Sequence, residues 1–249
     1  MKRLKMLACR VLSREVSFLS CTSDNIIDVT HLKAGLHDTP EKLFETLQKE
    51  IDLLDESDEN APEWQLCNDY DAILLGYGLC SNAVCGLSSK RYKLVIPRAH
   101  DCITLFLGSK EKYGQLFGER HGGIYWYTRG WNDFFMMPGE ERIKLMRDFY
   151  VQTYGEDNAD YLMEMEQGWM KEYTHCVYVD WEELHSGRDV EYSRQCAKDM
   201  GWEFEVVQGD TLLMKRFIDG DWNDEDFLVI EPGRKIAQSV ESSAIVDAE

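Results

Sequence analysis

Four residues carry the most evident chemistry in this chain: Cys9, Cys80, His100 and Cys102. Thiolate and imidazole are the ligands that zinc, iron and iron–sulfur clusters prefer, and three Cys with one His make an accepted tetrahedral set. The eight cysteines include no CxxC pair, so any such site has to be assembled by the fold. Cys9 falls in a first apolar run, Cys80 just past a second, and His100 and Cys102 just past a third. If those runs are neighbouring parallel strands, all four residues meet at one edge of the sheet. Free Cys is also among the most buried residue types, so each of these thiols taken singly reads as well as a core residue. Cys85 is a reserve ligand, while Cys21, Cys67, Cys176 and Cys196 read as packing or surface residues. With all four ligands bound, the centre would be structural or electron-transferring. With one held back, the metal keeps an open position for water, thiol or substrate.

A metal-free reading starts from Gly76-Tyr77-Gly78-Leu79-Cys80-Ser81, where a strand, a sharp turn and a helix start would make a nucleophile elbow. A helix N-terminus would lower the Cys80 thiol, and His100 could act as its base in a cysteine hydrolase or amidotransferase. The run GxCxN lacks the second glycine of the elbow, and Asp101 is the nearest acid to orient His100. Gly76-x-Gly78 half-matches a dinucleotide turn, which a plain tight turn explains as well.

Three further residues could hold a ligand. His37 precedes the helix start at Thr39-Pro40, where capping accounts for Asp38 or Thr39 and leaves His37 as a pocket or exposed loop residue. Arg98 could neutralise an anionic substrate or form a surface ion pair. Asp210, in Gly209-Asp210-Thr211 at a strand-to-helix junction, could meet a ligand or cap the helix. The aromatic cluster of Tyr125, Trp126, Tyr127 and Trp131 reads as a pocket wall or as core.

The elements that must position these residues alternate. Strands are expected at Lys5 to Leu12, Asp71 to Tyr77 and Lys93 to Pro97, with an amphipathic helix from Thr39 carrying Leu43, Phe44, Leu47, Ile51 and Leu54. Asp55 to Asp69 is a surface connection, Ser81 to Leu87 a short helix, and Asp101 to Leu107 another helix. Tyr113 to Trp131 reads as a glycine-rich loop or hairpin, and Glu140 to Trp169 as helical. Strands at His175 to Val179, Glu203 to Val207 and Phe227 to Ile230 then alternate with helices at Val190 to Met200 and Thr211 to Ile218. The fold class is α/β, a mainly parallel, doubly wound sheet built as one sheet or as two Rossmann-like lobes. Its organisation is 1–112 as the half carrying the Cys/His site, 113–235 as aromatic cover, helices and a second α/β half, and 236–249 as a flexible tail.

With 27 basic against 46 acidic residues, the net charge of -19 repels phosphate backbones and excludes nucleic acid and anionic membrane as partners. An acidic face could still dock a basic partner. No apolar run reaches the roughly eighteen residues of a membrane helix, and the mixed N-terminal segment is not a signal peptide, so a cytoplasmic location is expected.

The runs GLHDTP, GYGLC, IPRAHDCITLFLGS, YWYTRGW, GDTLLMKRFIDGDW and FLVIEPG resemble a domain-of-unknown-function family of anaerobic archaea and bacteria, often encoded near corrinoid-dependent methyltransferases. The resemblance extends over nearly the whole chain. Its motif residues fall on His37, Cys80, His100, Asp101 and Cys102, with Cys9 in the leading strand. It implies a role in one-carbon or corrinoid metabolism, as a metal-dependent enzyme acting on a small molecule or as a noncatalytic accessory that binds a corrinoid or methyltransferase protein.

Overall fold

The computed structural model describes residues 1–56, 69–80, 82–239 and 245–248. Its strands are β1 (Arg3–Cys9), β2 (Ile26–Leu32), β3 (Ala72–Gly76), β4 (Leu94–Pro97), β5 (Ile124–Tyr127), β6 (His175–Asp180), β7 (Glu203–Gln208), β8 (Phe227–Ile230), β9 (Ile236–Gln238) and β10 (Val246–Ala248). Its helices are α1 (Ser13–Thr22), α2 (Pro40–Asp55), α3 (Cys102–Leu107), α4 (Lys110–Glu119), α5 (Arg129–Phe134), α6 (Glu140–Tyr154), α7 (Glu156–Met170), α8 (Gly187–Met200) and α9 (Leu212–Asp219). The chain divides into two compact units, Met1–Lys110 with Asp210–Glu249, and Glu111–Gly209. Among the described residues, no helix is long and apolar enough to cross a membrane.

The first unit is built on a sheet of order β2-β1-β3-β4-β8, parallel except for β8, which runs antiparallel to β4. β3 and β4 are buried at every position and β1 at all but its first, the signature of strands covered on both faces. From β1 the chain passes through α1 to β2 on one side, and through α2 to β3 on the other. Strand order therefore reverses between β1 and β3. Right-handed crossovers put α1 and α2 on opposite faces, so the carboxyl ends of β1 and β3 mark the reversal point where sheets of this kind bind ligands. α2 turns Leu43, Leu47 and Ile51 into the core, one residue per turn, with Pro40 at its first position.

Several expectations need correction. β2 was not expected as a strand: its sequence IIDVTHL is half exposed at the sheet edge and breaks the apolar run that marks buried strands. Residues 210–235, expected with the second half, belong to the first unit. β8 completes the ladder of β4 from Leu94↔Ile230 to Pro97↔Phe227, and α9 packs against α1 and α3. The expected tail contains the antiparallel pair β9 and β10, because Ile236, Ile245 and Val246 are apolar enough to be buried. The connection at Asp55 to Asp69 lies largely outside the described residues, as does Cys67.

The second unit has its own parallel sheet, in the order β5-β6-β7. The region expected as a loop or hairpin instead holds α4, β5 and the start of α5. Its aromatics build a core: Tyr125 stacks on Trp169 at 5.8 Å and on Trp202 at 5.4 Å, around the buried Tyr127, Tyr178, Cys176 and Cys196. That burial accounts for these two cysteines as packing residues.

Candidate functional site

The carboxyl ends of β1, β3 and β4 carry thiols at or just past them. Cys9 is the last residue of β1 and is buried, and Ala8 pairs with Gly76, which sets Cys9 level with Tyr77 on the neighbouring strand. Beyond β3 the chain continues beside residues 99 and 100, held by Leu79 N–H to the Ala99 carbonyl at 2.8 Å and Cys80 N–H to the His100 carbonyl at 3.0 Å. Gly78 makes this approach possible. A Cβ at that position would stand 2.7 Å from the Asp101 nitrogen and 2.8 Å from the Ala99 oxygen. Cys80 then adopts a left-handed backbone (φ 46°), which an L residue with a Cβ rarely does, and this turns the chain beyond β3. Cys102 is the first residue of α3, whose N-cap is Asp101, with Oδ1 accepting the Ile103 N–H at 2.9 Å.

Tyr77 is buried near the three thiols. It is 3% exposed, its hydroxyl finds no hydrogen-bond partner among the described residues, and the thiols of Cys9, Cys80 and Cys102 all lie within electrostatic reach of it. Burial, reinforced by those thiols, pushes the phenol well above its usual range and keeps it protonated. Burial likewise raises the Cys9 thiol, against backbone N–H groups of Val11 and Arg10 that lower it. The Cys80 thiol is pushed up to about 12, first by burial and then by the Asp101 carboxylate, with the Gly78 backbone opposing and Cys9 adding to the rise.

The short helix expected after Cys80 is not found among the described residues. Residues 82–86 form turns, not a helix, so the described residues give Cys80 no helix N-terminus, and its environment raises the thiol where an activated nucleophile needs it lowered. His100 is exposed and contributes its backbone carbonyl to Cys80, so the expected Cys80–His100 pair is linked through the main chain.

The other expected ligand residues have partners of their own. The Arg98 guanidinium donates from Nε to the Asp224 carbonyl at 2.9 Å and from Nη1 to the Val246 carbonyl, so it ties the turn before β8 and strand β10 to β4. Asp210 caps its own segment by accepting the Leu212 N–H at 2.8 Å. His37 sits in a 3-10 turn with its Nε2 3.4 Å from Asp38, and Thr39 precedes α2 without a side-chain cap. Cys21 is exposed and Cys85 half-buried in the turn after Cys80.

The sequence pattern does not single out Tyr77. Its one signal is a tyrosine set between two glycines at the end of a fully apolar strand, a place where a hydroxyl would be buried. His31 escapes notice in the same way. It pairs with Ala8, has a buried Nδ1 without a partner among the described residues, and is pushed down by burial and by Arg10.

The three thiols have the chemistry of a soft-metal ligand set. Among the described residues, however, no group of three or more His, Cys, Asp or Glu side chains is placed to hold a metal ion.

The model of a family described as "Protein of unknown function (DUF1638)" matches residues 31–218, more than half of the chain. The chain belongs to that family. The matched span takes in Tyr77, Cys80, Asp101 and Cys102, while Cys9 and β1 precede it. No curated protein and no solved structure matches the chain.

Proposed function

We propose that this family member is a metalloprotein that binds an iron–sulfur cluster through Cys9, Cys80 and Cys102. The observation that carries the reading is the gathering of three thiols around one buried, unpartnered hydroxyl at the reversal point of a parallel sheet. Ligands of open α/β sheets collect at that point, and a buried hydroxyl without a partner is costly unless an acceptor meets it. Zinc is the second candidate. Thiolates serve a cluster and a zinc ion alike, and the metal content of the purified protein decides between them. His100 leaves the ligand set because its side chain is exposed.

In this reading the protein works in the cytoplasm, in the anaerobic one-carbon or corrinoid-linked setting that the family resemblance implies. It acts there on a small molecule or as an accessory to a corrinoid or methyltransferase protein. The test is elemental analysis and a visible spectrum of protein purified without oxygen, before and after reconstitution with ferrous iron and sulfide. Iron and sulfide in equal amounts, with broad visible absorption lost in Cys80→Ser and Cys102→Ser, is the expected result. Zinc alone, or protein that takes up no metal, overturns the cluster.

A further inference from the structure

The carboxyl end of the second sheet, the edge at which α/β sheets take their ligands, holds a pair that the thiol site does not use. Asp180 is the last residue of β6, the central strand, and its side chain is only 11% exposed. The chain leaves β6 through Trp181, makes a 3-10 turn over Glu182–Leu184 and returns His185 to the strand end, where its Nδ1 lies 2.5 Å from Asp180 Oδ2. An ionised carboxylate only accepts, so Nδ1 carries the proton and the neutral ring keeps its lone pair on Nε2. The His185 side chain is 55% exposed, so water reaches it. The loop is held from both neighbouring strands. Gly209 N–H, just past β7, donates to the Asp180 carbonyl at 2.8 Å, and Arg129, just past β5, donates from Nη1 to the Leu184 carbonyl at 3.0 Å. The pairs His37–Asp38, at 3.4 Å, and His175–Glu203, at 3.5 Å, differ: their carboxylates are 73% and 84% exposed, as in solvated surface pairs.

We propose that Asp180 and His185 form an acid–base dyad that activates water against the carbonyl carbon of a small-molecule ester or thioester. The site lies wholly within the second unit and is independent of the metal reading. His185 Nε2 takes a proton from a water molecule as the water oxygen bonds to the carbonyl carbon. The tetrahedral adduct then expels the alkoxide or thiolate, which takes that proton back from Nε2. Asp180 is the positioning residue: it fixes the tautomer and faces the positive charge that the ring gains. Arg129 supports the substrate class. The carbonyl it holds belongs to the peptide bond leading into His185, so its guanidinium stands beside the dyad, where a cation favours the negative charge that develops on the attacked oxygen. Asp189, with Oδ2 3.7 Å from Arg129 Nε, balances part of that cation's charge.

The probe is p-nitrophenyl acetate, whose hydrolysis by the full chain, His185→Gln and Asp180→Asn is followed by nitrophenolate absorbance, with circular dichroism on each protein to confirm the fold. The rate should fall about tenfold or more in both variants. The first lacks the base, and in the second the asparagine amide donates to Nδ1 and leaves the ring proton on Nε2. An equal rate in wild type and His185→Gln overturns the site and leaves a surface ion pair. A loss in His185→Gln with the full rate kept in Asp180→Asn overturns the dyad. Nitrogen NMR of the imidazole rings in wild-type protein needs no variant to fold: the neutral His185 ring should carry its proton on Nδ1, and a proton on Nε2 overturns the role of Asp180.

Discussion

Gly78 lies so close to Asp101 that a Cβ on the glycine would come within 2.7 Å of the Asp101 backbone nitrogen. Main chain meets main chain there, so neither side can yield by a rotamer change. This contact lets the segment after β3 run beside residues 99 and 100 and brings Cys80 to Asp101 and Cys102. Gly78→Ala should therefore cost about 1–3 kcal/mol of stability through overpacking, and it should displace Cys80 as it does so. Chemical denaturation gives the first effect and loss of metal uptake the second. A variant as stable as wild type would show that the two backbones have room to separate.

Asp101 acts twice at this point, as N-cap of α3 and as the nearby charge that raises the Cys80 thiol. Asp101→Asn keeps a capping oxygen and removes the charge, so stability should change little while the Cys80 thiol titrates at lower pH. Asp101→Ala should lose about 1 kcal/mol in addition. The rate of iodoacetamide labelling of Cys80 against pH, followed by peptide mass spectrometry, reads the thiol directly. An unchanged profile in Asp101→Asn would leave burial as the whole cause.

The raised Cys80 thiol also sets the sign of the alkaline stability profile. Its proton is held to about 12 in the folded protein against an ordinary value of 9.0. The folded state thus binds the proton more tightly than the unfolded state. This contribution is complete below pH 9 and is lost as pH rises toward 12, and Cys9 shifts in the same direction. Metal-free protein should melt at a lower temperature at about pH 10.5 than at pH 8, and Cys80→Ala should lose less between those two conditions. An equal loss in the variant would place the alkaline sensitivity elsewhere, with the buried Cys176 as the next thiol to test.

Arg98 illustrates how a plausible ligand residue becomes a brace. Its guanidinium holds carbonyls of Asp224 and Val246, and its own N–H meets the Asp226 carbonyl at 2.7 Å. Arg98→Met should cost about 1–3 kcal/mol by leaving acceptors unpaired, without changing the metal content of the folded protein. A variant of wild-type stability that fails to bind metal would return Arg98 to the site.

What the sequence disclosed follows from burial. β1, β3 and β4 are unbroken apolar runs, and such runs pair as neighbouring parallel strands, so the meeting of Cys9, Cys80 and Cys102 at one edge is legible in the residue pattern itself. β2 was hidden because an edge strand need not be apolar, and β8 because a run such as FLVI does not say which sheet it joins. For His100 the sequence gives the position along the chain, while the fold shows its side chain exposed and its carbonyl bonded to the Cys80 N–H, since position gives the backbone and not the side chain. Tyr77 is hidden for a related reason: a tyrosine in an apolar run reads as packing, and only the folded chain reveals that its hydroxyl is without a partner among the described residues.

If Cys9, Cys80 and Cys102 are the ligands proposed above, metal binding should depend steeply on pH, more than at an exposed thiol site. Each thiol has to give up its proton to become a ligand, and burial holds the protons of Cys9 and Cys80 above their ordinary values. At any pH below those values, each ligand thiol contributes about a tenfold change in affinity per pH unit, so three of them together approach about a thousandfold. Affinity should rise from pH 6 to pH 8, and acidification should release the metal without unfolding the chain. Competition with a chelator of known affinity across that range measures the slope, and circular dichroism on the same samples shows whether the fold persists. A slope near that of a single thiol would mean that only one of the three sulfurs binds, and Cys9→Ser, Cys80→Ser and Cys102→Ser would then identify it by the one variant that abolishes the pH dependence.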